Sequence, residues 1–258
     1  YKQSKYTFAS VFGKRLEALG TRYSRFGGAH SQNVSQGITL VPMGYDMSQG
    51  GLKVGGPLDS AVNGQGFFIL QAQNSAKYML TRASDFIFAA DGTLIDIFGR
   101  KVKGYKMVDG VADKSELVNI TVPEGSDLAD VGFETDGVMF NNFQARQAAI
   151  ERGDTAEDLE GEPMFQLALG RVSNPSQMQL GQGNAFNTTV ESGEIARGVS
   201  EDTGFGTVVG GSTESSNVNP AEVTIQGIQL QRGYNAIQAA LTMTNRFLTQ
   251  LMEVAGKA

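Results

Sequence analysis

The sequence predicts a mainly β protein that ends in one long α-helix. From Ile38 to Val190 the chain is a series of short apolar or alternating runs separated by Gly, Asn and Asp, the pattern of a β meander. From Pro220 onward, apolar residues recur every three or four positions without a break. Glycine supplies 33 of the 258 residues, well above the usual ~7%, with no collagen-like period, which points to many turns and bulges.

Taken in order, Phe8, Val11, Phe12, Leu16 and Leu19 stand at spacings of three and four before Gly20, which reads as a short amphipathic segment. TRYSRFGGAHSQNVSQG, residues 21–37, is polar and unpatterned and reads as a loop. Strands are then expected at 38–41, 52–54, 61–70, 77–82, 85–99 and 101–108. Within 85–99, Asp91-Gly92 marks a hairpin turn, because this pair readily adopts the positive φ that tight hairpins need. Later strands are expected at 117–123, 137–140, 165–172 and 184–190. Residues 140–163 shift toward Ala, Gln and charge and read as an inserted helix or long loop. Gly193–Gly211 is Gly-rich and weakly patterned and reads as a connector. The expected organisation is an N-terminal segment 1–37, a β-rich domain 38–211 and a C-terminal helical region 212–258.

Composition excludes several function classes. A net charge of −6 is wrong for a chain whose work is neutralising phosphates, so no nucleic-acid partner is expected. There is no cysteine and a single histidine, His30, so thiolate chemistry, disulfides and Cys-based metal sites are ruled out. No run approaches the ~18 apolar residues of a membrane-spanning helix, and no direct membrane insertion is expected. The chain begins at Tyr1, which reads as a processed or truncated form.

Candidate chemistry dissolves on inspection. Asn63-Gly64-Gln65-Gly66 offers the start of a dinucleotide fingerprint, but Ile69 stands where the third Gly belongs and the run continues as a strand; a tight turn is the better reading. The acids Glu151, Asp154, Glu157, Asp158, Glu160 and Glu162 lack the Asp-x-Asp spacing of a Ca²⁺ loop and read as a solvated face. His30 lies in a polar loop with no arrangement to activate a nucleophile. The acceptor patterns at Asn33, Asn119 and Asn187 are short enough to arise by chance. No catalytic residue, cofactor site or metal site is expected.

The closing segment carries the strongest signal. Asn219-Pro220 is an N-cap followed by a first-turn proline, with Glu222 where the helix dipole favours an anion. The helix is expected to run to Ala255, stopped by Gly256. Val223, Gly227, Leu230, Tyr234, Ile237, Leu241, Thr244, Leu248, Leu251 and Ala255 recur at alternating spacings of four and three, a heptad seam. At 1.5 Å per residue such a helix is roughly 50 Å long, more than one β domain needs as a cover. A helix-to-helix or coiled-coil role therefore competes with a core helix lying across the sheet.

At these residues the chain resembles the bacterial flagellar axial proteins of the rod and hook family. Ser216-Asn217-Val218, Glu222, Gln231-Arg232, Tyr234, Leu248 and Leu251 are similar to that family's C-terminal signature. Ser48-Gln49-Gly50, Leu58, Asp59, Ala61, Gly64, Gly66, Phe67, Phe68, Thr81, Arg82, Phe86, Asp91, Gly92, Gly99, Val102, Gly104 and Tyr105 look like its central block. YKQSKYTFASVF is similar to its segment just after the N-terminal helix. The resemblance implies a structural subunit without enzymatic activity, exported by the flagellar apparatus without a cleaved signal. It also implies helical polymerisation around a channel, with terminal helices in an inner coiled-coil layer, and an N-terminal helix missing from this sequence. Partners would be copies of itself and other rod or hook subunits. Only residues 106–214 remain for any outer domain, which favours a rod protein of the distal-rod type over a hook protein, and the loop from Gly20 to Gly37 matches that type in placement. The assembly seam would be Val223, Leu230, Tyr234, Ile237, Leu241, Leu248 and Leu251. A different class, a secreted β-rich adhesin with an oligomerisation coil, would require an aromatic platform or Ca²⁺ cage that the sequence lacks.

Overall fold

The computed structural model describes residues 2–12, 35–72, 75–123, 126–153 and 161–255. Leu16, Leu19, His30, Asn33, the acids from Asp154 to Glu160 and the Gly256 stop lie outside them. The chain forms two compact units, Tyr1–Asn217 and Val218–Ala258.

The first unit is β-rich, and every strand pairing among its described residues is antiparallel. The main path of a 14-stranded sheet runs Gly132–Phe133, Val138–Phe140, Pro163–Leu167, Lys101–Val108, Phe67–Gln71, Tyr78–Thr81, Ala185–Asn187, Gln179–Leu180. Strand Phe67–Gln71 explains why its sequence does not alternate. Phe68 and Leu70 enter one hydrophobic cluster with Val102, Ile120, Phe133 and Leu167, whereas Phe67 and Ile69 enter another with Leu80, Tyr105 and Phe186. Successive side chains of a strand point to opposite faces, so a strand covered on both faces must be apolar throughout. The sheet carries two cores, one on each face.

Turn chemistry sets the register. Phe86–Phe88 pairs with Leu94–Asp96, and the Gly92 N–H donates to Ala89 O at 3.0 Å with Gly92 at φ 72°. Asp91 keeps ordinary φ; its Oδ1 accepts from Thr93 N at 3.0 Å. The expected hairpin therefore forms, closed by a turn that needs positive φ at the glycine alone. At Asn63-Gly64-Gln65-Gly66 the two glycines sit at φ 108° and 135° and a strand follows, the tight turn expected in place of a nucleotide loop.

Two readings are corrected. The amphipathic segment at the N-terminus is a strand over Gln3–Phe12, paired with Ser35–Asp46. Its Tyr, Phe, Val and Thr residues satisfy a three-or-four spacing and a β-favouring composition at once, and the facing Ile38–Val41 run decides between them. The Gly-rich stretch 193–211 is not a bare connector. It holds strands Ala196–Gly198 and Thr207–Gly210, which pair with Leu169–Arg171 and Ser60–Asn63, and Ser212–Glu214 beyond it pairs with Leu52–Val54. These strands are too short for a period to show. Within 140–163 a helix forms over Phe143–Arg152. Arg146 pins it, donating from Nε and Nη2 to Glu134 at 2.7 and 3.0 Å and stacking over Phe140.

The second unit is one helix, Pro220–Ala255. Asn219 Oδ1 accepts from Ala221 N at 3.1 Å, the cap expected from sequence.

Candidate assembly surface and the neighbouring junction

The helix presents its apolar residues to solvent. Val223, Leu230, Tyr234, Ile237 and Leu241 are 43, 45, 61, 41 and 59% exposed; the side chains of Leu248 and Leu251 lie outside those described. Thr244, on the same seam, donates its hydroxyl to Ala240 O at 2.9 Å, so its polar atom is satisfied within the helix and its methyl remains for packing. Ile225, Ile228, Met243 and Phe247 are also exposed, which widens the apolar surface beyond a single stripe. Gln231, Arg232 and Glu222 are exposed on the same helix.

Several of the remaining family-motif residues, far apart in the sequence, meet at one place in the β unit. Glu214 is its centre. Its Oε1 accepts from Lys2 Nζ at 2.5 Å and from Gly50 N at 2.9 Å, and its Oε2 accepts from Arg82 Nη1 at 3.2 Å. The side chains of Lys2, Arg82 and Glu214 are only 6, 9 and 3% exposed, so this is a buried ionic trio. Arg82 reaches further, donating to Val62 O at 3.0 Å and Gly64 O at 2.6 Å, with its guanidinium 5.0 Å from the Phe67 ring centre. Gln49 accepts from Gly64 N at 3.0 Å and donates to Asn63. Asn217 Nδ2 donates to Asp46 O at 2.9 Å and to Ser48 O at 3.1 Å, and Lys2 also donates to Ser48 O at 2.7 Å.

The structure thus brings together Ser48, Gln49, Gly50, Gly64, Gly66, Phe67, Arg82 and Asn217 where the first strand arrives and the last one leaves. Ser216 and Val218 flank Asn217. Phe68 lies in the sheet core and Thr81 at the sheet, where its hydroxyl donates to Asn184 O at 3.2 Å. Asp91 and Gly92 stay apart at their hairpin tip. Neither Lys2 nor Glu214 stands out in the sequence. The two are 212 residues apart, and no local pattern marks such a pair.

Burial alone would push the Glu214 carboxyl up; the Lys2 ammonium, the Gly50 N–H and the Arg82 guanidinium outweigh it and hold the group below its ordinary value. Asp202, held by Lys114, and the exposed Asp91 and Asp113, held by hydrogen bonds, are lowered too. A carboxyl with a folded-state pKa below its unfolded one stabilises the fold at neutral pH and loses that contribution as pH falls through the folded value. Stability should therefore decline as pH drops below the unfolded-chain value of about 4.3. The Glu214→Gln variant should show a shallower decline, by about one proton's worth of slope, in urea unfolding followed across that range. An unchanged slope would mean that Glu214 is solvated.

Among the described residues, no cluster of His, Cys, Asp and Glu is placed to hold a metal, and no helix is long and apolar enough to cross a membrane. Comparison with known proteins locates the chain more closely. A family model described as the flagellar hook protein FlgE/F/G D1 domain matches residues 61–140. The flagellar basal-body rod protein FlgG of Agrobacterium fabrum is 24% identical over 245 residues, 94% of this chain and 82% of that protein. FlgG of Buchnera aphidicola is 25% identical over 256 residues, 98% of this chain and 87% of that protein. The flagellar hook protein FlgE of Helicobacter pylori is 30% identical over 131 residues, 51% of this chain but only 16% of that protein.

Proposed function

We propose that the chain is a member of the flagellar rod and hook family and a structural subunit of the basal-body rod, polymerising helically into the hollow flagellar axis; the partial family-model match and the rod and hook relatives support this reading. The observation that carries the rod reading is end-to-end correspondence: the FlgG relatives align with nearly all of this chain and most of their own length, whereas the hook protein of Helicobacter pylori shares only part. The helix supplies the association surface. Contacts between different patches on successive copies, which do not close into a ring, generate a helical tube, and an exposed apolar seam on a separate helical unit is suited to that packing. In this reading the chain is exported by the flagellar apparatus, has no enzymatic activity and works in the periplasm-spanning rod with other axial subunits. Hook protein is the second reading, favoured by the higher identity of the partial hook match.

Electron microscopy of basal bodies from cells lacking this chain separates the two. A rod subunit leaves truncated rods. A complete rod with only the hook missing would overturn the rod reading in favour of the hook, and intact filaments on complete basal bodies would overturn both.

A further inference from the structure

The junction around Glu214 has a construction unlike that of the sheet it sits beside. Its strands, Leu52–Val54 and Ser212–Glu214, stand outside the 14-stranded sheet as a separate two-stranded ribbon; the neighbouring ribbon of Ser60–Asn63 with Thr207–Gly210 belongs to the core through Val62 and Val208 and stays with the sheet. Much of its cohesion is polar. Lys2, Arg82 and Asn217 donate to backbone carbonyls, Glu214 and Gln49 accept from backbone N–H groups, and the side chains of Leu52 and Val54 are exposed. Packing there is also incomplete. A cavity of about 130 Å³ lies against Lys2, Arg82, Ser84 and Glu214, and Arg82 Nε and Ser84 Oγ are buried without a hydrogen-bond partner among the described residues. A polar cavity of that size has room for water.

We propose that Lys2, Glu214 and Asn217 form a latch, which holds the arriving strand and the departing segment together and opens as a unit while the sheet stays folded. Local opening is governed by what it exposes. Opening this junction exposes little apolar surface and rehydrates ions whose burial was costly, so it should need less free energy than unfolding the two cores. Arg82 belongs to both parts. It bonds Glu214 on the latch side, and on the sheet side it bonds Val62 O and stacks on Phe67, which leaves a fixed post against which the latch closes. Lys2 and Asn217 are the movable side. Both bond the Ser48 carbonyl, so the backbone at 46–50 is gripped from the beginning and the end of the unit at once.

Amide hydrogen exchange on the full chain tests this, with peptides read separately for 46–51, 212–217, 67–71 and 101–108. In Lys2→Met, which keeps the aliphatic stem, the amides at 46–51 and 212–217 should exchange about tenfold faster, the change that loss of roughly one charge-assisted hydrogen bond gives. Those of 67–71 and 101–108 should keep their protection. Lys2→Arg should restore much of the junction's protection, and Glu214→Gln should reproduce the effect of Lys2→Met at both junction segments. Two results would overturn the latch. Unchanged protection at 46–51 and 212–217 would show that the trio holds nothing. Acceleration of all four segments together would show that the junction is merely part of the global core. The readout is taken on the isolated chain, so it stands or falls separately from the rod reading.

Discussion

Arg82→Ala will be among the most damaging single substitutions in the β unit, lowering its stability by about 2–4 kcal/mol, because one side chain bonds a buried carboxylate and a buried carbonyl and covers an aromatic face. Glu214 would keep Lys2 and the Gly50 N–H. The buried Val62 carbonyl would lose its Arg82 donor, and an unsatisfied buried polar group costs about 1–3 kcal/mol; the carbonyl of the exposed Gly64 would turn to water instead. The Phe67 ring would lose the cation over its face. Arg82→Lys should recover only part, since a single ammonium cannot reproduce a planar fork that reaches two carbonyls and a carboxylate together. Urea unfolding checks both variants through the midpoint at constant m-value. A loss below about 1 kcal/mol, the range of exposed pairs, would mean that water already reaches the trio.

Leu230→Asp or Leu241→Asp will abolish rod assembly while leaving the β unit's unfolding transition where it was. Both residues are about half exposed on a helix that forms its own compact unit, so within the single chain neither substitution removes a core contact. In a polymer each leucine would be worth about 1.5–3 kcal/mol of burial, repeated at every subunit, and the aspartate would add the cost of desolvating a charge. Soft-agar motility and electron microscopy of basal bodies read assembly, and thermal melts of the purified chain read the fold. Normal rods built from either variant would remove the seam from the assembly surface. Rods absent because the β unit itself had unfolded would show that the helix and the β unit are not independent.

What could be read from sequence depended on the distance over which each element is decided. The Asp91-Gly92 hairpin and the Asn219 cap rest on neighbours a few residues away, and both appear as expected. The helix to Ala255 was legible because its period repeats for its full length. Gln3–Phe12 was misread because its conformation is fixed by Ser35–Asp46, a partner its own spacing says nothing about. Thr207–Gly210 and Ser212–Glu214 were hidden for the same reason, with partners at Ser60–Asn63 and Leu52–Val54 far back in the chain. The motif residues could be named from resemblance, but that Gly50 and Arg82 meet at Glu214 emerged only in three dimensions. An ion pair is specified by where the fold brings two charges, and the letters around Lys2 and Glu214 do not encode that meeting.

The contact between Lys2 and Glu214 has one more implication. A polypeptide whose second residue touches its two-hundred-and-fourteenth is, topologically, a closed loop at that point. Everything between can be regarded as cargo inserted into a shorter chain, because a few linking residues could bridge the gap that the whole β unit spans. Closely spaced ends are where whole domains are exchanged most easily. An insertion within the β unit would thus enlarge it without moving the two ends that Lys2 and Glu214 hold together.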